Sequence, residues 1–175
     1  MKWTFPDDSV IDGTGGGEYN HGGSDGEKTE RQVERRMLKT AESLINELNR
    51  LQMKFKEAHD LEDGKSHIAC GVTGKTAQVD YHFIFDQDGH SVTMRAFKLF
   101  VAPVDRQLPI LELINRFNRD YRWVKFAMDQ DNWVNLQADA IVNDTTSGPI
   151  CVELMIRAVK IIDDTYPQFM HEIWA

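Results

Sequence analysis

The chain has no long hydrophobic run. None of its apolar stretches approaches the roughly 20 residues that a membrane-spanning helix needs. Cysteine is scarce too. Cys70 and Cys151 form no Cys-x-x-Cys pair and lie in apolar surroundings, which points to buried reduced thiols rather than a disulfide frame or a redox pair. Positive charge is short as well: 20 Lys and Arg stand against 28 Asp and Glu, a net charge of -8. That balance argues against nucleic acid or an anionic membrane as a partner. The first residues lack the basic head and apolar core of a secretory signal, so a cytoplasmic location is expected. Catalytic patterns are missing too. No Ser or Cys sits in a nucleophile-elbow context and no Gly-x-Gly-x-x-Gly opens a helix, so no enzyme is expected.

What is present reads as one domain behind a tail. Residues 1–28 are glycine-rich and cannot bury enough apolar surface to offset their ordering entropy, so a flexible tail is expected there. Trp3 and Phe5 give its start apolar anchors that could dock on the same chain or on a partner. The domain proper is expected over residues 29–175. Thr29 with Gln32 three residues on suggests a helix cap. Met37, Ala41, Leu44, Leu48, Leu51, Phe55 and Ala58 then follow at alternating spacings of four and three. This pattern predicts a helix to about Asp60, roughly 45 Å long at about 1.5 Å per residue. Such a helix overhangs a small domain, which suggests an interface with a second copy through Met37, Leu44 and Leu48.

Three strands are predicted next, over 67–72, 78–86 and 91–102. The third changes phase between Ala96 and Phe97, which predicts a bulge near Phe97 and Lys98. Asp86-Gln87-Asp88-Gly89 reads as a hairpin turn with Gly89 at positive φ. A helix over 108–118 follows, with Pro109 in its first turn. Two more strands, 122–128 and 133–142, are divided by Asp129-Gln130-Asp131-Asn132. Their alternation pairs Met128 with Asn132 and Phe126 with Val134, and sends Trp123 and Trp133 to one face away from the core. A last helix starts near Ser147 and is expected to end at Tyr166-Pro167, with one further turn over 168–174. The fold class is therefore α+β: long N-terminal helix, three antiparallel strands, helix, two-stranded hairpin, C-terminal helix, with the helices on one five-stranded antiparallel sheet.

Gly74-Lys75-Thr76 brushes against a phosphate-binding loop. The pattern needs a glycine where Ala69 stands and a helix directly after, whereas a strand-like alternation follows, so a hairpin turn is the better reading. Asp86/Asp88 and Asp129/Asp131 read as turn acids, since neither stretch supplies the remaining oxygens of a calcium loop. The six histidines look scattered. His82 and His90 flank one hairpin, but two ligands do not make a tetrahedral site, so neither a metal nor a cofactor is expected.

Leu111-Glu112-Leu113-Ile114-Asn115-Arg116-Phe117-Asn118 resembles the Leu-Asn-x-x-Asn helix end of the YbjN family, described broadly as bacterial sensory transduction regulators. Ile162-Asp163-Asp164-Thr165-Tyr166-Pro167 resembles the closing helix of the same family. The resemblance implies a fold like that of type III secretion chaperones, often dimeric. It also implies a non-enzymatic domain that binds or steadies other proteins as a regulator or chaperone-like adaptor. Trp123, Trp133, Phe97 and Leu99 are the candidate partner-binding residues. Two alternatives stand beside this reading: a self-assembling dimer with no client, and a nucleotide-binding protein using Gly74-Lys75-Thr76.

Overall fold

The computed structural model describes residues 37–175. The tail with Trp3 and Phe5, and the expected cap at Thr29 and Gln32, lie outside the described residues. In chain order come helix α1 (Lys39–Arg50) and strands β1 (Glu57–Asp60), β2 (Ser66–Thr73), β3 (Gln78–Phe85) and β4 (Ser91–Val101). A 3-10 turn (Val104–Arg106) leads into α2 (Gln107–Asp120). Then follow β5 (Lys125–Met128), β6 (Trp133–Ile141) and α3 (Ser147–Trp174). The strands form one antiparallel sheet in the order β1-β2-β3-β4-β6-β5.

The α+β class with helices against an antiparallel sheet is present, but four strands precede α2 rather than three, and the sheet has six strands rather than five. The cause lies at the end of α1. The Met53 amide bonds the Leu48 carbonyl at 2.8 Å and the Gln52 amide bonds Asn49 at 3.0 Å, with Gln52 at φ 57. This is a Schellman ending, usually signalled by glycine. Here glutamine takes the left-handed position, at a cost of roughly 1 kcal/mol. The helical spacing of Phe55 and Ala58 is therefore coincidental. Residues 57–60 instead pair with β2, Ala58 opposite Ile68 and His59 opposite His67. The turn between them holds Gly64 at φ 80, with the Leu61 amide on the Lys65 carbonyl at 2.7 Å.

Inward residues alternate along the sheet as the sequence suggests. Val79, Tyr81, Phe83 and Phe85 of β3 meet Val92, Met94 and Ala96 of β4 and Val134, Leu136 and Ala138 of β6 in one core. The three helices cover that face through Leu44 and Leu48, Ile110, Ile114 and Phe117, and Cys151, Met155, Ala158 and Phe169. Leu44 and Leu48 are fully buried in this core, and Met37 packs against it, so α1 has no overhang formed by these residues. The two thiols are free and buried, Cys70 in contact with the Met155 sulfur at 3.4 Å. Burial pushes Cys70 up to about 11 and Cys151 up to about 12, so both stay protonated at neutral pH.

The last helix does not stop at Pro167. It runs on to Trp174 with the proline inside it. An interior proline costs about 3 kcal/mol. Phe169, two residues later, offsets that cost by entering a cluster with Phe100, Phe117 and Phe126 at ring distances of 4.9, 5.1 and 5.3 Å. Side chains mend part of the ladder nearby. The Thr165 hydroxyl donates to the Ile161 carbonyl at 2.7 Å, and the Gln168 amide donates to Asp164 at 3.1 Å.

Candidate functional site

The sheet face opposite the helices carries the groups with chemical character. Residues that alternate with the core point there: Glu57 and His59 on β1, His67 on β2, Asp80, His82 and Ile84 on β3, Thr93, Arg95 and Phe97 on β4. Across β1 to β4 the rings form a continuous row. His59 and His67 stand edge to face at 4.9 Å, His67 and His82 stack at 5.2 Å, and His82 meets Phe97 at 5.4 Å. His67 Nε2 lies 3.0 Å from His82 Nδ1, so one of these nitrogens donates and the other accepts. Glu57 Oε1 lies 3.2 Å from His59 Nδ1. The ligand atoms of Glu57, His59 and His67 all fall within 4.8 Å of one another, a set able to hold a metal ion. Burial, and then the neighbouring His82 and His59, lower the pKa of His67. Burial likewise lowers His82, against the opposing pull of Asp80 and Glu57. Both rings are neutral at neutral pH.

This cluster was not legible beforehand because residues 57–60 carry a helical spacing. Placed on a helix, His59 cannot stand beside His67. The one available signal was Asp63-Gly64, a hairpin-turn pair that favours a strand on either side.

Beside the ring row the sheet parts. β3 and β4 pair only between His82–Phe85 and Val92–Arg95. Beyond that point β4 bulges where the phase change predicts it. Lys98 takes φ 54, its amide bonds the Asn135 side-chain oxygen at 2.8 Å, and the register against β6 shifts between Ala96 and Phe100. The gap is a pocket of about 480 Å³ lined by Gln78, Val79, Asp80, Phe97, Lys98, Leu99 and Tyr166, among others.

The four partner-binding candidates divide. Phe97 and Leu99 line this pocket. Trp133 adjoins it, opposite Val101 and with the Lys98 ammonium 5.7 Å from its ring. Trp123 does not share that face. The strand starts at Lys125 rather than Arg122, so residues 121–124 bend, and Trp123 instead stacks on Arg157 of α3 at 4.4 Å. The hairpin register differs in step as well. Met128 opposes Val134 and Phe126 opposes Leu136, because Asn132 belongs to the turn at φ 66. The pairing shifts by two residues, so Trp133 keeps its face.

The Gly74-Lys75-Thr76 segment is a turn whose amides face a carboxylate of the same chain. Asp163 Oδ1 on α3 accepts from the Lys75 amide at 2.7 Å, the Thr76 amide at 2.9 Å and the Thr76 hydroxyl at 3.0 Å. These bonds, with the Thr76 amide first, hold the Asp163 carboxyl below the ordinary value of 3.8. A carboxylate depressed on folding contributes stability above its unfolded pKa, and that contribution is lost as pH falls through the lower folded value. The Thr76 amide proton shift, followed by NMR, is expected to titrate with a midpoint below 3.8. In Asp163→Asn this titration disappears. A midpoint at or above the ordinary value shows that the clamp does not form.

Asn118 explains the motif at the end of α2. Its side-chain oxygen accepts from the Phe126 amide at 2.8 Å and its nitrogen donates to the Phe126 carbonyl at 2.9 Å. It therefore acts as a strand partner for the outer edge of β5. Lys125 caps the same helix end through the Asn118 and Tyr121 carbonyls at 2.6 and 2.7 Å. No helix among the described residues is long and apolar enough to cross a membrane. No curated protein and no solved structure matches the chain. One family pattern does, over residues 40–170, described as "putative bacterial sensory transduction regulator". That span covers most of the described residues, from the start of α1 into the last turns of α3, and the chain belongs to the YbjN family.

Proposed function

We propose that this chain is a non-enzymatic regulator that takes an extended segment of a partner protein at the gap between β3 and β4, against Phe97, Leu99 and Trp133. The parting of β3 from β4 carries the reading. Among the described residues the pairing of β3 with β4 ends at His82 and Arg95, and beyond it Val79, Asp80, Phe97 and Leu99 line one slot where backbone groups and apolar side chains meet. Strand addition uses such a combination, with main-chain bonds for affinity and side-chain pockets for selection. The family description supports a regulatory role, and the charge of -8 favours a protein partner over nucleic acid. The fold likeness to secretion chaperones that the sequence motifs imply fits an extended segment as the ligand.

The test places a photo-crosslinking amino acid at Leu99 in the native host, with the same residue at Trp123 as control. A different protein trapped from position 99 and absent from position 123 is the expected result. Phe97→Ser and Trp133→Ser should each weaken that partner by about 2 kcal/mol, roughly thirtyfold. Crosslinks only to a second copy of the chain would replace this reading with the clientless dimer. No crosslink at all would remove the slot as a contact surface.

A further inference from the structure

We infer that Glu57, His59 and His67 form a binding site for a divalent transition-metal ion of the zinc class, with His82 as the group that orients the His67 ring. The backbone brings the set together. Glu57 and His59 stand two residues apart on β1 and so face the same side, and His59 lies directly opposite His67 on β2. Their ligand atoms already fall within 4.8 Å of one another. Ligands sharing one tetrahedral ion, with bonds of about 2.0–2.2 Å, stand roughly 3.3 Å apart. Glu57 and His59 have side chains 55% and 42% exposed, which leaves them the freedom to close that difference.

The donor set selects the class of ion. Two imidazole nitrogens and one carboxylate oxygen suit zinc, nickel or copper, whereas calcium and magnesium call for oxygen ligands alone. Three protein ligands leave a fourth position open to water or to an incoming group. His67 is the buried member of the set, and its Nε2 is engaged by His82 Nδ1 at 3.0 Å. Metal-ligating histidines are commonly held in this way through their second nitrogen. Lys56 is the cation next to the site in the chain. Asp80 holds its ammonium at 2.6 Å, so its charge does not stand uncompensated against the ion. A bound ion would tie the four-residue edge strand β1 to β2.

The experiment is a calorimetric titration of the full chain with Zn2+, after chelator treatment and dialysis. One ion per chain binding saturably is expected. Glu57→Gln and His59→Ala should abolish saturation, and His82→Phe should weaken binding by about 10–100-fold. His90→Ala, in the β3–β4 turn, should leave it unchanged, and so should His21→Ala, which lies outside the described residues. The side chains of Glu57 and His59 are partly exposed on an edge strand, so circular dichroism should show these variants folded. Absence of saturable binding to the parent chain overturns the site. So does full binding by folded His59→Ala, or loss of binding in His21→Ala.

Discussion

Replacing Phe169 by alanine is expected to lower stability by about 3–5 kcal/mol, as for other fully buried phenylalanines. For a chain of this size that is a fall in melting temperature on the order of 10 °C. Phe169 is 1% exposed and touches Phe100 of β4, Phe117 of α2 and Phe126 of β5, so one side chain joins four elements. Its position beyond Pro167 sharpens the test. If the helix ended at the proline, residue 169 would belong to a loosely held final turn, and its truncation would cost a few tenths of a kcal/mol. Denaturant unfolding of Phe169→Ala decides between the two. A loss under about 1 kcal/mol would show that the last turn does not pack as described. Trp174→Ala is a fitting control, since that side chain is 83% exposed at the helix end.

Gly148→Ala is the second substitution with a large expected effect, and here two principles disagree in sign. Gly148 lies in the first turn of α3, where intrinsic propensity favours alanine by up to about 1 kcal/mol. Packing opposes it. A Cβ at this position would stand 2.5 Å from the Ser43 carbonyl oxygen and 2.9 Å from the Glu47 Cβ, both on α1. The first contact is with backbone, which cannot swing aside as a flexible side chain would. The Gly148 amide also accepts no detour, because it donates to the Ser43 hydroxyl at 3.2 Å. Moving the helices apart would loosen Leu44, Leu48 and Cys151 behind them. Overpacking of this kind costs about 1–3 kcal/mol, so the net result should be destabilising. An unchanged or raised melting temperature would mean that α1 and α3 do not approach so closely.

These two sites show how differently parts of the molecule could be read from the chain. Periodicity of two along β3, β4 and β6 identified their inward faces, because each strand has a single buried side and alternation follows directly. The phase change at Phe97 located the bulge that opens the slot. The motif ending at Asn118 was visible as a pattern, while its purpose appeared only when its side chain was found bonded to both backbone groups of Phe126. Nothing comparable marked Gly148. A lone glycine after a serine looks like a helix start, and only the neighbouring helix shows why a side chain is refused.

By itself, then, the sequence determined what depends on local pattern: the antiparallel strands flanked by turn residues, the middle helix, the buried thiols and the family. Tertiary structure decided what depends on competition between local preference and packing. The first helix stops at Gln52 although no glycine marks the place, because its chain end closes on Leu48 and the following residues find β2. The last helix crosses Pro167 because Phe169 has a core to enter on the other side. Trp123 turns to Arg157 instead of joining Trp133, since the strand before the hairpin begins three residues late. The histidine row is the furthest from local pattern. His59, His67 and His82 lie on three strands, and the first becomes a strand only by pairing with the second. A grouping assembled by strand pairing leaves no spacing in the chain to read, which is why Glu57 and His59 were hidden in what looked like the end of a helix.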